Sequence, residues 1–579
     1  MVASKDHVPT AVPKGREDQA FPQLSPSQCE RAEAFGCVVD LEPGEVVFER
    51  GEHSVDFFIV LDGQIEIYDY DCDGEPLVFT AHGERQFTGE IDLYSDRKIL
   101  VSGRMHHDGP GRAIRVCRER FRDLLAAEPD IGDVVTRAFI LRRIGLIEDA
   151  LGGALLLAKP QHSDSHRIRR FLRRNGYPLR VLTEGEELEG GKTFGDVLTH
   201  YGVSPDDLPV LVCGPDHILK NPTNREAAEC VGLTETPDPD EVYDVAVVGA
   251  GPGGLAAAVY AASEGLNAVI LEGEAPGGQA SWSSKIENYL GFPNGLSGQE
   301  LAGRAQIQAQ KFGAKLALPM SVDAIACDSE TGCSPYRLKV AENDDVRAHT
   351  VVIASGATYR TLDLDDFERF EGTGIFYAAT PIEADLCRDA EVVVVGGGNS
   401  AGQAAVFLSG HAKHVYMLVR GDSLASSMSD YLVRRIERSE DITLLTQTEV
   451  VALSGDGDGH LDGLTWLRKD RDERIDKPIG HLFLMIGAVP NASWCGDSLL
   501  TDRNGFLCTG LSVVEEGAWP LESRGPGTFE TSWPGVFAVG DVRAGSVKRV
   551  ASAVGEGSVC VQAIHQVLEE LRQKEAAMS

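Results

Sequence analysis

The sequence predicts a multidomain α/β protein: a β-rich, jelly-roll-like N-terminal unit, a small mixed α/β unit, and two Rossmann-like dinucleotide-binding domains. Three observations carry this. Short strand-like runs broken by Gly and Asp-Gly turns fill residues 24–125, among them "GEVVFERG" and "FFIVLDGQIEIYDY". Strand and helix patterns then alternate through 151–236. From Val242 onward two glycine-rich turns recur, each between a strand and an Ala-rich helix.

The 579 residues fit about four domains. An apolar content of 42% and a charged content of 25% are those of a chain with ample core. Lys and Arg total 54 against 89 Asp and Glu, a net charge of −35. This disfavours nucleic acid and anionic membranes as partners, because both require a positive footprint. No apolar run approaches the roughly 20 residues of a membrane span. Residues 1–23 read as a flexible polar tail without the apolar stretch of a signal peptide, so the default location is cytoplasmic. None of the twelve cysteines forms Cys-x-x-Cys or has metal-site spacing. They are expected to be reduced and mostly packed, and no metal is expected.

The first unit spans 24–150, with helical text after its strands, "RERFRDLLAAEPDIGDVVTRAFILRRIGLIEDAL". The second, 151–236, reads strand (ALLLA), helix (SDSHRIRRFLRRNG), strand (PLRVL), helix and strand (LPVLVCG). A Pro- and acid-containing connection, "TETPDPDEV", closes it. The remainder divides into a domain in two pieces, 237–363 and 485–579, and an inserted domain, 364–484.

In the first fingerprint the strand DVAVVG meets Gly249-x-Gly251-x-x-Gly254, then an Ala-rich helix. A second strand ends at Glu272, 23 residues after Gly249. Glycines permit a tight turn and close approach to a pyrophosphate, the helix N-terminus supplies free N–H groups, and Glu272 is placed for a ribose hydroxyl. The second fingerprint has Gly396-x-Gly398-Asn399-Ser400-Ala401. At the position equivalent to Glu272 it has Val419, with Arg420 next. An arginine there meets the 2′-phosphate of NADPH, whereas NADH favours an acid. NADPH is therefore expected, with NADH as the alternative. Two fingerprints imply FAD plus a nicotinamide, the pair between which hydride moves.

"GGQASWSSKIENYLGFP", "TVVIASGATYR" and "GVFAVGDVRAGSVKRVASAVGEGS" resemble, in order, three flavin-domain motifs of bacterial low-molecular-weight thioredoxin reductases. The resemblance covers roughly residues 242–570. It implies FAD contacts from Gly278, Gln279, Asn288, Gly356, Gly540 and Asp541, with Arg549, Val550 and Ala551 along the isoalloxazine. It also implies a homodimer whose nicotinamide domain rotates against its flavin domain. The whole chain resembles a bacterial fusion family with a cyclic-nucleotide-binding-like domain, a thioredoxin-fold domain and this flavoprotein.

The resemblance fails where the chemistry of that family resides. Aligned on "GIFYAATP", the redox cysteine positions hold Ala378 and Pro381, which can neither attack a disulfide nor receive electrons as a thiol pair. Cys387 is the one nearby candidate, and it has no partner in sequence. No catalytic residue is otherwise identified. In the thioredoxin-like unit Ser163 to His166 stand where thiols open the first helix, although Pro209, often cis in that fold, is kept. In the N-terminal unit Gly89 and Glu90 match a cyclic-nucleotide phosphate cassette. The arginine expected ten residues on is Ile99, with Arg97 and Lys98 out of register, so the anion lacks its bidentate partner.

Three functions follow. The first is an FAD-dependent NAD(P)H oxidoreductase that passes electrons to a small-molecule or protein acceptor other than a disulfide. The second is a thioredoxin-disulfide reductase using cysteines outside the motif. The third is a redox sensor or adaptor. The sequence favours the first, because each cofactor-binding motif is intact and only the disulfide relay is missing.

Overall fold

A computed structural model describes residues 17–578 apart from 54, 71–75, 90, 96, 149–151, 160–161, 187–191, 215–216, 284–285, 287–288, 328–333, 342–343, 372–373, 380, 426–427 and 456–459. Residues 17–23, expected in the tail, are part of the fold. A helical turn, Glu17–Ala20, buries Ala20, whose carbonyl accepts from Arg142 Nε at 2.8 Å.

The N-terminal unit holds two antiparallel sheets. One pairs Cys37–Leu41, Gly111–Val116 and Phe57–Asp62; the other pairs Val46–Phe48, Ser102–Met105, Ile65–Tyr70 and Pro76–His82. In Gly111–Val116 only Arg112 and Arg115 are exposed, while the neighbours Ala113 and Ile114 are both buried, so this central strand is covered on both faces. Between the sheets and the helices Arg118–Ala127 and Pro129–Glu148 lie Phe57, Phe87, Phe121 and Phe139, ring centroids 4.9 to 6.4 Å apart.

His82 is 2% exposed in this core, beside Phe21 and near Arg142, and its Nδ1 has no hydrogen-bond partner. Burial, with the Arg142 charge second, holds its pKa well below the ordinary 6.5. The folded unit keeps His82 neutral, and the unfolded chain protonates it below about pH 6.5. Its contribution is therefore complete above that pH and is lost on acidification, by about 1.4 kcal/mol per pH unit. Denaturant titrations at pH 7 and pH 5 are expected to show this loss, and His82→Leu to flatten it.

The second unit has a four-stranded sheet in the order His217–Lys220, Val210–Gly214, Ala154–Leu157, Leu179–Leu182. The last two strands are parallel and the others antiparallel. Helices Ser163–Arg174, Phe194–His200 and Asn224–Val231 complete it, and the Leu208–Pro209 peptide is cis. Cys213 and Cys230 form a disulfide, which corrects the expectation that all cysteines are reduced. Spacing gave no hint of it: the two residues come from a strand and a helix that only the tertiary fold brings together.

The third unit is a mainly parallel sheet ordered Lys315–Ala317, Ala268–Leu271, Val242–Val248, Val346–Ile353, Tyr336–Val340, Val322–Cys327, with Val536–Ala538 also paired to Val346–Ile353. Ala268–Leu271 and Val536–Ala538 are apolar and buried at every position because both faces are covered, whereas antiparallel Tyr336–Val340 alternates, with Arg337 and Lys339 exposed. Helix Pro252–Ser263 lies against the long helix Val550–Met578. Glycine permits the approach: a Cβ on Gly557 would stand 2.1 Å from the Gly253 carbonyl oxygen. The inserted domain repeats the theme with Ile375–Phe376, Leu482–Leu484, Glu391–Val395, His414–Leu418 and Ile442–Leu445, all parallel. It enters and leaves through the antiparallel pair Ala357–Tyr359 and Ala488–Pro490. Among the described residues no helix is long and apolar enough to cross a membrane, and no cluster of ligands could hold a metal.

Candidate functional site

In the first glycine turn each glycine answers a different constraint. Gly249 has φ +104°, and a Cβ there would lie 2.6 Å from the Ala354 carbonyl oxygen. A Cβ on Gly254 would lie 1.9 Å from the Gly249 carbonyl oxygen, so the helix could not close on the strand. Gly251 meets nothing within 4 Å. It keeps a clear approach to the N-terminus of helix Pro252–Ser263, where no side chain caps the first N–H groups.

Glu272 follows strand Ala268–Leu271 and spans the turn. Its Oε2 accepts from the Ala250 N–H at 2.7 Å, and its Oε1 from Glu274 and Ala275 at 2.9 and 3.2 Å. Burial raises its pKa, and these hydrogen bonds oppose the rise. Each carboxylate oxygen has two lone pairs, so Oε2 keeps acceptor capacity for a ribose hydroxyl.

A second loop closes over the first. The Gly277 N–H donates to the Ala250 carbonyl at 2.7 Å, and a Cβ on Gly278, φ +53°, would come within 3.3 Å of Gly251 Cα. Gln279 is exposed beside it, and Asn288 lies outside the described residues. Gly356, φ +72°, opens onto free space and accepts from the Asn491 N–H at 3.0 Å. The Gly540 N–H donates to Glu556 at 2.7 Å. Asp541 is pushed up by burial and pulled back by Lys548, whose Nζ donates to the Asp541 carbonyl oxygen. Arg549 and Ala551 are exposed at the start of helix Val550–Met578. The clear approach at Gly251, the uncapped helix start and the spare acceptor on Glu272 suit a dinucleotide.

The second turn has the same construction. A Cβ on Gly396, φ +148°, would sit 2.4 Å from the Met485 carbonyl oxygen, and Ala401 is fully buried where the first turn has Gly254. Gly398 precedes helix Asn399–Leu408, again with no side-chain cap. Asn399 Oδ1 accepts from the Ser429 N–H at 2.8 Å and its hydroxyl at 3.0 Å; Ser400 is exposed. Arg420 is exposed just past strand His414–Leu418.

Between strands Ile375–Phe376 and Glu391–Val395 of the inserted domain, Ala378 is exposed and Pro381 begins helix Pro381–Leu386. Cys387 is 0% exposed, and its Sγ–H points at the Glu383 carbonyl oxygen, 3.1 Å away. It packs in the core of the inserted domain, so the thiol proposed as a substitute does not face a site. Sequence reasoning missed the Tyr377 ring, which stacks on Tyr359 at 4.8 Å and 9°, its hydroxyl donating to Glu371. The burial of Ile99 was legible only as a missing arginine. It is 7% exposed, and the neighbouring Lys98 N–H donates to the Gly232 carbonyl of the second unit at 3.2 Å. Glu90 lies outside the described residues.

Two glycine turns of this construction on two parallel sheets define an oxidoreductase that works with a pair of dinucleotides. Residues 243–557 match the family model Pyridine nucleotide-disulphide oxidoreductase, and residues 38–128 match the Cyclic nucleotide-binding domain. The chain belongs to the pyridine nucleotide-disulphide oxidoreductase family, with an N-terminal domain of the cyclic-nucleotide-binding type. It is 30% identical over 366 residues to NADPH-dependent thioredoxin reductase 3 of Arabidopsis thaliana, covering 61% of this chain but only 64% of that protein. It is 32% identical over 330 residues to Thioredoxin reductase 1 of Saccharomyces cerevisiae, covering 55% of this chain and 95% of the relative. The crystal structure of thioredoxin reductase from Streptococcus pyogenes MGAS5005 aligns with a TM-score of 0.49 and 29% identity, over 57% of this chain and 99% of that one. FAD and NADPH, the cofactors read from the two turns, are those the thioredoxin reductases use.

Proposed function

We propose that the chain transfers hydride from NADPH to FAD and then delivers the electrons to an acceptor other than a protein disulfide. The observation that carries this is Ala378, exposed where the first redox thiol would stand, with Pro381 at the second position and Cys387 buried. Hydride transfer is the chemistry the two dinucleotides supply when bound. The residues of the chain hold and orient them. Gly249, Gly251, Gly254, Glu272, Gly278, Gln279, Asn288, Gly356, Gly540, Asp541, Arg549, Val550 and Ala551 serve FAD. Gly396, Gly398, Asn399, Ser400, Ala401 and Arg420 serve NADPH.

The second unit is read as thioredoxin-like from its sheet order and cis-Pro209, with exposed Ser163 and His166 in place of thiols. Buried Ile99 and the backbone bond from the Lys98 N–H to Gly232 of the second unit favour a docking role for the cassette over nucleotide capture. A homodimer and a cytoplasmic location belong to the same reading.

The test is anaerobic mixing of the FAD-loaded protein with NADPH, followed by a quinone or an oxidised thioredoxin. NADPH should bleach the flavin and the quinone should restore its colour, while the protein disulfide leaves it reduced. Turnover of the disulfide at the quinone rate would sink the proposal. Arg420→Ala should raise the KM for NADPH about tenfold and leave that for NADH unchanged, the size of one good charge-assisted contact. One observation favours disulfide reduction as a second reading: the chain carries its own Cys213–Cys230 bridge. In that case Cys213→Ser should abolish turnover of the protein disulfide.

A further inference from the structure

The helix Ser163–Arg174 of the second unit ends on the first dinucleotide turn. The Arg174 side chain, 14% exposed, pairs through Nη1 with Glu274 Oε2 at 2.6 Å. Its Nη2 reaches the Gly278 carbonyl oxygen and Ser281 Oγ, both at 3.4 Å, and its guanidinium lies over the Trp282 ring at 4.9 Å. The next residue, Asn175, donates from Nδ2 to the Glu274 carbonyl at 3.0 Å, and Gln299 Nε2 donates to the Arg174 carbonyl at 2.7 Å. A separate unit of the chain thus grips the loop that closes over Gly251.

The grip leaves one group unsatisfied. Arg174 Nε is buried without a hydrogen-bond partner, and the two Nη2 contacts are at the long limit. A buried donor on a charged group is costly to leave unpaired, more so than a neutral one. Its surroundings contain the Gly278–Gly251 contact and Glu272, whose carboxylate feels the Arg174 charge. The grip therefore acts on the dinucleotide turn through the Gly277–Gly278 loop, whose Gly277 N–H holds the Ala250 carbonyl and whose Gly278 lies against Gly251.

We propose that Arg174, carried by the second unit, is a positioning residue of the FAD site, so that docking of that unit and binding of FAD are one coupled equilibrium. The inference rests on reading the first turn as the FAD site. Coupling is reciprocal: a bound dinucleotide strengthens docking by the same factor with which docking strengthens its binding. The fused unit then has a task that needs no thiol. It completes the cofactor site of its neighbour.

The experiment titrates flavin-free full-length protein with FAD by fluorescence and, in parallel, measures proteolysis of the 232–241 connection with and without FAD. Arg174→Ala should weaken FAD by about tenfold, within the usual range of such couplings. It should also remove the protection that FAD confers on the connection. Arg174→Lys, which keeps the charge but loses the planar fork, should be intermediate; it also serves as the test variant if the alanine variant does not fold. Glu274→Gln loosens the docking contact but keeps the Arg174 guanidinium, and should weaken FAD clearly less than Arg174→Ala does. Wild-type affinity in both Arg174 variants would overturn the proposal. So would a Glu274→Gln variant as weak as Arg174→Ala, since Arg174 would then be one half of a structural ion pair. A wild-type chain that takes up no FAD would overturn this inference and the reading of the first turn together.

Discussion

Gly254→Ala is expected to yield a colourless protein with a destabilised flavin domain. The added methyl would stand 1.9 Å from the Gly249 carbonyl oxygen and 3.2 Å from the Ala354 Cβ. The nearer of these atoms is backbone, so no rotamer change relieves the clash, and the helix must move away from the strand. Overpacking of a core commonly costs 1–3 kcal/mol, and a backbone collision belongs at about 3 kcal/mol. If that strain falls on the bound geometry of the turn, FAD affinity drops by more than about a hundredfold. Gly251→Ala isolates the cause. Its Cβ meets nothing within 4 Å, and the residue already has φ −69°, which alanine adopts freely. The flavin-free Gly251→Ala protein should therefore unfold with the wild type while losing FAD, whereas flavin-free Gly254→Ala should unfold earlier. Visible flavin absorbance after purification and denaturant unfolding of the flavin-free proteins separate the two effects. Equal stability of the two variants would contradict the clash.

The second large effect falls on a buried ion pair. The Glu530 side chain is 1% exposed and its carboxylate accepts four hydrogen bonds. Two come from Arg524, at 2.7 and 2.8 Å, and two from the Gly527 and Gly535 N–H groups, at 2.8 and 2.7 Å. Arg524 also bridges to Glu570 on the final helix at 3.0 Å. Arg524→Ala leaves a buried carboxylate with no counter-charge, a change that usually costs about 3–5 kcal/mol. Adding Glu530→Gln to that variant removes the stranded charge and should recover part of the loss. A denaturant-unfolding double-mutant cycle measures the coupling directly. A loss below about 1 kcal/mol for Arg524→Ala would mean that the pair behaves as an exposed bridge.

These two cases show what was legible in the sequence. Gly249, Gly251 and Gly254 were readable because each meets a local constraint of a strand–turn–helix unit, and local constraints leave a fixed spacing. The absence of thiols at Ala378 and Pro381 was readable for the same reason. The roles of Arg174, Glu530 and the Tyr359–Tyr377 stack were not, because each joins segments distant in sequence. An arginine at the end of an amphipathic helix reads as a solvated residue until the fold places Glu274 and Gly278 against it. Cys213 and Cys230 were misjudged on the same ground: neither carries a local mark of its partner. Cys387 shows the converse: its nearness in sequence to the redox segment made it a candidate, and it is packed in the core, as expected of most of the cysteines.

The flavin domain is discontinuous, and that has a consequence for the order of events on the ribosome. Val351 pairs with Val536, so the central sheet lacks a strand until the whole inserted domain has been synthesised. Helix Pro252–Ser263, with its buried Ala and Gly face, also waits for helix Val550–Met578. The nascent chain must therefore carry an incomplete flavin sheet while the inserted domain, a contiguous stretch, is free to close on itself first. Loop-closure entropy grows only slowly with loop length, and a folded insert whose ends are held together by Ala357–Tyr359 and Ala488–Pro490 acts as a short tether in place of a long one. Translation would thus be expected to favour maturation of the nicotinamide side before the flavin side, with cofactor capture among the last steps in the life of the nascent chain.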